Sequence, residues 1–269
     1  MLTLFFVFRR ARKLQIAPEE KVRLFSWGVL KLLILLSLPV ILQNSFVSVG
    51  NLFIQVRINE LAAAEGIGIT SGFAAGFKVI TVGVTSLCVY GNGLTNYTSQ
   101  NFSAAKFRRI KSGFRASLVI STVLSAIFAL CFVLFARPLI GLFMSQEEDS
   151  ALALESGVLY LTTIAPFYFI VNIKINADAV VRGCNGNLGF TVSTFSDLIF
   201  RVVLVFVLTS FLGFAGAGWA WVTGWSLGTV VGLSFYLCIP CLKKKNMERY
   251  DEEGRLKETV APEKQEISG

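Results

Sequence analysis

Six long apolar stretches alternate with short polar segments along this chain of 269 residues. A transmembrane α-helix needs about 20 consecutive, mainly apolar residues, and each stretch reaches that length. Hydrophobic residues make up 54% of the chain and charged residues only 16%, which is too little polar surface for a soluble protein of this size. The sequence therefore predicts an all-α, polytopic membrane helix bundle. Its six transmembrane helices are expected at residues 24–56, 72–97, 116–135, 157–182, 188–212 and 215–242.

The positive charges indicate how such a bundle would lie in the membrane. They concentrate in residues 9–23, in a loop expected at 106–115 and in residues 243–269, whereas the alternate connections carry only Arg57 and Arg137. Cytoplasmic segments are enriched in Lys and Arg, so both ends are expected in the cytoplasm of a multi-pass plasma-membrane protein. Because the net charge of +8 comes from these segments, membrane lipids are expected as partners and nucleic acid is not.

The remaining segments divide the chain into four parts. Residues 1–8 are apolar but too short to span, and we expect them to be the stub of a preceding transmembrane helix. Residues 9–23 form a cytoplasmic connector, 24–242 the six-helix lobe, and 243–269 a polar cytoplasmic tail that is expected to be disordered. No internal repeat is visible within the six spans. Transporters are often built from two related halves, so the lobe is expected to be half of a two-lobe machine.

The composition argues against an enzyme. The chain contains no histidine, which excludes histidine-based metal sites, histidine general bases and Ser–His pairs. No other combination of residues forms a nucleophile with its base. We therefore expect no catalytic residues, no metal and no cofactor.

The fourth span contains the strongest candidates for a pathway. Pro166 interrupts it, and Asn172, Lys174, Asn176 and Asp178 follow within its second half, on what we expect to be one polar face. Charged residues within a membrane are costly and normally face protein or a water-filled cavity. The Lys and Asp are four residues apart and can neutralise each other. Two interpretations remain open, a transport pathway and a structural pair inside a well-satisfied bundle.

Other polar residues within the spans are weaker candidates. Asp197 and Arg201 are also four apart in the fifth span, where a structural pair is favoured over a functional one. Lys78 lies near the outer end of the second span and can extend its amine to the interface. The tryptophans at positions 219, 221 and 225 predict an interfacial aromatic cluster.

Two further candidates flank prolines. Gln43 and Asn44 follow Pro39 by about one turn and could face a cavity or form interhelical hydrogen bonds. Tyr168, beside Pro166, lies in an aromatic triplet that could line an apolar substrate site, although phenylalanines in such spans more often face lipid.

Six segments, in order, resemble the C-terminal lobe of the multidrug and toxic compound extrusion (MATE) family over about residues 30–240. They are KLLILLSLPVILQNSFVSVGNLFIQVRIN (31–59), LTNYTSQNFSAAKFRRIKSGFRAS (94–117), ARPLIGLF (136–143), IAPFYFIVN (164–172), VRGCNGN (181–187) and STFSDLIFRVVLVFVL (193–208). The resemblance implies two six-helix lobes around a central cavity, and antiport of small amphipathic or cationic compounds driven by a sodium or proton gradient. It also implies that an N-terminal lobe is the partner of this one.

The chain departs from the family pattern in three places. Ser99 and the pair Ser103–Ala104 replace glycine-containing positions, and no carboxylate occurs between Arg23 and Asn59, where some members have a glutamate. Two alternatives therefore stay open beside multidrug efflux. One is a flippase for lipid-linked oligosaccharides or polysaccharides from the same wider superfamily, and the other is a truncated lobe that does not transport without a separate N-terminal lobe.

Overall fold

The computed structural model describes residues 27–144 and 150–242, and both ranges are built from helices. The predicted stub, connector and tail lie outside these described residues. Gln43 and Asn44 lie within the first helix, but their side chains are outside the description. The helices are α1 (Trp27–Glu65), α2 (Gly68–Ser103), α3 (Phe107–Leu134), α4 (Ala136–Gly141), α5 (Ser150–Ile164), α6 (Tyr168–Gly183), α7 (Asn187–Leu212) and α8 (Ala215–Cys238).

The predicted fold class, an all-α membrane helix bundle, is confirmed. Within the described ranges, five helical segments are long and apolar enough to cross a membrane, namely Gly68–Ser103, Phe107–Leu134, Ala151–Gly183, Asn187–Leu212 and Ala215–Cys238. They correspond to the second to sixth predicted spans, of which the third and sixth were predicted to end one and four residues later, and the first predicted span falls mostly within α1. The chain divides into two compact units inside α1, between Asn44 and Ser45. All contacts described below lie within the second unit.

The basic segment 106–115 is not a loop as expected. Only Ala104 to Lys106 connect α2 to α3, and α3 begins at Phe107, so the arginines and lysines that follow occupy its first turns. Charged residues had marked this segment as a break between spans. A helix can nevertheless continue beyond the apolar part of its sequence, because its backbone hydrogen bonds do not depend on the polarity of the side chains.

Helix α3 is polar inside and apolar outside. Ser117, Ser121 and Ser125 recur every four residues and are buried, while aliphatic residues such as Val119 and Val123 are more than half exposed. Lipid is as apolar as an aliphatic side chain, so membrane helices gain from close packing and interhelical hydrogen bonds rather than from burying apolar surface. The serine face of α3 packs against α6, where it meets polar partners.

The fourth span is broken at the predicted position. A 3₁₀ turn at Ala165–Phe167 separates α5 from α6, as expected because proline removes a backbone donor and clashes with the preceding turn of an α-helix. The break places α6 in the interior of the unit, where it packs against α2, α3 and α8. Helix α8 also pairs closely with α7 through a short connection at Gly213, whose φ of 56° suits glycine.

Candidate functional site

Helix α6 presents two polar faces rather than the single one that we expected. Residues two positions apart on an α-helix point about 200° apart at 3.6 residues per turn. Asn172 and Asn176 therefore lie on one side, and Lys174 and Asp178 on nearly the opposite side. The two pairs have different neighbours and different chemistry.

The asparagine face is a closed hydrogen-bond network with α3. The Ser117 hydroxyl donates to Asn176 Oδ1 over 2.6 Å, and Asn176 Nδ2 donates to Ser121 Oγ over 3.0 Å. The same amide group donates to Asn172 Oδ1 over 2.9 Å, and Asn172 Nδ2 donates to the hydroxyl of Thr122 over 3.2 Å. Both asparagines are fully buried. Amides satisfied in this way join two helices and offer little to a ligand.

The opposite face of α6 carries a buried ion pair. The Lys174 ammonium lies 2.7 Å from Asp178 Oδ2. Relative exposures of 7% for the lysine and 4% for the aspartate leave almost no access from outside. The other carboxylate oxygen, Asp178 Oδ1, is buried and accepts no hydrogen bond within the described structure. The pair is thus electrically neutral but incompletely bonded.

A second buried ion pair lies on α7. One guanidinium nitrogen of Arg201 is 2.6 Å from Asp197 Oδ2, and Asp197 Oδ1 again has no partner among the described residues. The guanidinium carbon of Arg201 lies 4.5 Å from the ring centroid of Trp221 on α8, within the range of a cation–π contact. Each pair therefore joins a basic residue to an aspartate four positions away, and in each the aspartate Oδ1 is unused within the described structure.

A stripe of glycines on α8 brings the two pairs together. Gly224, Gly228 and Gly232 are four residues apart and so lie on one face of the helix. A Cβ atom on Gly228 would lie 2.8 Å from both Lys174 Cε and Asp197 Cβ. Only glycine leaves room for side chains from α6 and α7 to meet at this point.

Three of these four charged residues, Lys174, Asp197 and Arg201, line a cavity of about 240 Å³ inside the second unit. Polar residues of four helices line it, namely Asn51 from α1, Thr81 from α2, Lys174 from α6, and Asp197 with Arg201 from α7. Its other walls are mainly apolar and aromatic, and they include Phe77, Ile80, Val84, Cys88, Val171, Trp221 and Trp225. An apolar cavity with a few convergent polar groups is the usual form of a small-molecule site.

Three polar atoms of residues that line the cavity are buried and unused within the described structure. They are the side-chain oxygen of Asn51, Asp197 Oδ1 and Arg201 Nε. Buried polar atoms are hydrogen-bonded in the large majority of cases, so an unpaired set on one cavity indicates a place for a ligand or for water. Two of the three are acceptors and one is a donor.

Not all the predicted candidates reach this cavity. Lys174, Asp197 and Arg201 line it, and Asp178 is bonded to one of them. Tyr168 instead donates its hydroxyl to the carbonyl of Ile80 over 2.7 Å and is buried among aromatic rings. Lys78 is exposed, with its ammonium 5.7 Å from the ring centroid of Phe143.

Sequence reasoning missed several lining residues. Trp221 and Trp225 were assigned to the membrane interface, but each is only 4% exposed, and their rings form cavity wall instead. Asn51 and Cys88 carried no distinctive pattern in the sequence. The glycines at positions 224, 228 and 232 were a usable signal, because small residues every four positions indicate a face of close helix contact.

Comparisons with known proteins place this arrangement in a family. The MatE family model matches residues 39–207, more than half of the chain. No curated protein gives a significant sequence match. Several solved structures match in fold, and they include transporters of this family in more than one conformation.

Three of these structures illustrate the similarity. The outward-facing conformation of a multidrug resistance MATE family transporter of the MOP superfamily matches with a TM-score of 0.75 and 19% identity, over 90% of this chain and 54% of the other. An inward-facing conformation matches with a TM-score of 0.72 and 19% identity, over 82% and 50%. A MOP superfamily transporter from Pyrococcus furiosus matches with a TM-score of 0.74 and 18% identity, over 90% and 55%.

The present chain thus spans about half the length of these transporters, and it shares their fold over nearly its whole length. Family members are transporters and not enzymes. The matched residues 39–207 contain the broken fourth span and both buried ion pairs. On this family match, the chain belongs to the multidrug and toxic compound extrusion (MATE) family.

Proposed function

We propose that this chain is the C-terminal lobe of a secondary-active exporter of small amphipathic or cationic compounds. The observation that carries the proposal is the cavity lined by Trp221, Trp225 and Asp197. Aromatic walls suit a flat or amphipathic ligand, and Asp197 Oδ1 and the side-chain oxygen of Asn51, which have no partner among the described residues, could accept from an ammonium or amide donor. Export would be antiport driven by a sodium or proton gradient.

The proposed mechanism is rocking of this lobe against an N-terminal partner lobe around a site near the middle of the membrane. A ligand shifts such an equilibrium only by binding one conformation better than the other. The fold of this chain is similar to relatives described as outward-facing and as inward-facing, which supports a lobe that moves largely as one body. The chain covers about half of each relative, which supports a second lobe as the partner.

Efflux from cells tests this function. The chain is expressed with an N-terminal lobe, and loss of a cationic dye is followed with sodium present, with sodium replaced, and with the proton gradient collapsed. Asp197→Asn is expected to reduce efflux, because it removes the negative charge at the cavity. The matched control is Glu60→Gln, an exposed carboxylate paired with Arg57 and not part of the cavity lining. Equal efflux from both variants would refute the proposed role of the cavity.

A second candidate function is flipping of an anionic, lipid-linked oligosaccharide. Lys174 and Arg201 supply two cations to the cavity, and Arg201 Nε is free to donate to a phosphate oxygen. The Pyrococcus furiosus relative is itself described as having a binding pocket of reverse polarity that suggests a different function. An anionic, phosphate-bearing lipid would distinguish the two candidates. Its translocation, together with no efflux of cationic dyes, would favour the flippase.

We also propose that the chain lies in the plasma membrane with both of its ends on the cytoplasmic side. The concentration of Lys and Arg at residues 106–115 supports this orientation. In a background without the native cysteines, Ser112→Cys should react with an impermeant maleimide only after the membrane is opened. Leu142→Cys, just after α4 and beyond the far end of α3, should react in intact cells. The reverse pattern would overturn the orientation.

A further inference from the structure

Along the glycine face of α8, the four buried charges alternate in sign. The Cβ position at Gly224 is close to Arg201 Cβ and Asp197 Oδ1, at 3.1 and 3.3 Å. At Gly228, it is close to Asp197 and Lys174. At Gly232, it lies 2.9 Å from Asp178 Oδ1. The order along the helix is therefore arginine, aspartate, lysine, aspartate, and Lys174 stands between two carboxylates on different helices.

Lys174 is bonded to only one of these two carboxylates. Its ammonium contacts Asp178 Oδ2, whereas its Cε atom and Asp197 Cβ approach the same glycine, Gly228. Nζ is one bond beyond Cε, and the carboxylate oxygens are two bonds beyond Cβ, so both charged groups extend from atoms that approach this one glycine. Among the residues that the structure describes, neither Asp178 Oδ1 nor Asp197 Oδ1 has a hydrogen-bond partner, and both residues are more than nine-tenths buried.

We propose that the space between Asp178 and Asp197 is an ammonium-binding position, filled from within by Lys174, which serves the two carboxylates in turn. The two ion pairs then form one network of four charges rather than two separate pairs. When Lys174 turns toward Asp197, Asp178 is released. When it returns, Asp197 keeps only Arg201.

The physical basis is the donor capacity of an ammonium group. Lysine has three rotatable N–H donors on a flexible stem, so it can serve two acceptors without moving the backbone. A buried carboxylate far from any cation is costly, and a lysine placed between the two aspartates stays near both of them in either position. Because Asp178 is on α6 and Asp197 is on α7, each position of Lys174 links a different pair of helices. Such a two-position element is what a conformational switch requires.

Chemical rescue tests the ammonium position directly. The purified full chain with Lys174→Ala lacks the tethered cation, and n-butylammonium carries the same charged group on a similar alkyl chain. We expect it to raise the unfolding temperature of this variant saturably, by roughly 2–4 °C. The wild-type chain should not respond, and neither should Lys78→Ala, which removes an exposed lysine outside the cavity lining.

The carboxylates are then removed in the Lys174→Ala background. If the position is shared, rescue persists with either Asp178→Asn or Asp197→Asn and disappears only when both are changed. Loss of rescue with Asp178→Asn alone would assign the lysine to that residue and overturn the proposal. Absence of rescue in Lys174→Ala would overturn it too. So would equal stabilisation of the triple variant by n-butylammonium, which would indicate binding of an adventitious additive only.

A second measurement keeps Lys174 in place, in case its removal prevents folding. Asp178→Asn and Asp197→Asn are made singly and together, and the unfolding temperatures are compared. If Lys174 serves both carboxylates, the unfolding temperature of the double variant should fall by more than the sum of the two single decreases, because only the double variant leaves Lys174 without a carboxylate. Additive losses would refute sharing. Neither measurement depends on transport, so failure of the proposed export function would leave this inference untouched.

Discussion

Gly228 lies where α8 meets side chains of both charged helices, α6 and α7, and its substitution by alanine should separate them. The new Cβ atom would lie 2.8 Å from Lys174 Cε and 2.8 Å from Asp197 Cβ. Lys174 can swing away, because Cε is near the end of a flexible side chain. Asp197 cannot, because its Cβ atom is fixed to the backbone of α7. Helix α7 must therefore shift relative to α8.

The size of the effect can be bounded from similar substitutions. Overpacking of a well-packed interior costs typically about 1–3 kcal/mol. Alanine also gains about 1 kcal/mol over glycine in helix propensity, so that gain has to be controlled for. Gly93 on α2 provides the control, because no atom of the described part of the chain lies within 4 Å of its Cβ position. The difference in stability between Gly228→Ala and Gly93→Ala then isolates the packing cost.

Thermal unfolding of the purified chain, followed by tryptophan fluorescence, measures this difference. Buried Trp221 and Trp225 lie on the same helix as Gly228, so their emission should report loss of the packing around the cavity. We expect Gly228→Ala to unfold at a lower temperature than Gly93→Ala, by roughly 2 °C or more for each kcal/mol of packing cost. Equal unfolding temperatures would refute the close packing of the three helices at this glycine.

Two further predictions concern the other polar residues of the interior. Asn176→Ala should lower the free energy of unfolding by about 1–3 kcal/mol, because it leaves buried serine and asparagine groups unpaired. The control, Asn59→Ala, removes an exposed amide pair and should have little effect. Comparable losses from the two would argue against a buried network between α3 and α6. Tyr168→Phe should lower the free energy of unfolding by about 0.5–1.5 kcal/mol, because its buried 2.7 Å hydrogen bond is lost. Tyr97→Phe breaks an exposed 3.3 Å hydrogen bond and should lower it by less. Chemical denaturation of the variants in detergent would measure both differences, and a larger loss for Tyr97→Phe would contradict the second.

Much of the fold could be predicted from the sequence because the membrane restricts the choices. A spanning segment must satisfy its own backbone hydrogen bonds, so a long apolar run has to become a helix. This constraint predicted the helical bundle and the positions of the second to sixth spans. Pro166 predicted the break in the fourth span for an equally local reason, the missing backbone donor of proline. The pairing of Lys174 with Asp178 also followed from their spacing.

The sequence could not tell which neighbours the polar groups of each helix would meet. Asn172 and Lys174 are two residues apart, yet one faces α3 and the other a cavity between helices distant in sequence. Trp221 had the same ambiguity, because an aromatic residue near the end of a span suits an interface as well as a buried wall.

Helix formation and ion pairing at i,i+4 are local, and the sequence alone determined them. The meeting of Lys174 with Asp197 at Gly228 depends on how α6, α7 and α8 pack, and these residues lie far apart in the chain. No local pattern specifies such a contact, because the rotation and depth of each helix are set by the surfaces of its neighbours. Only the tertiary structure could therefore show that the two ion pairs and the unpaired oxygens of the cavity share one place.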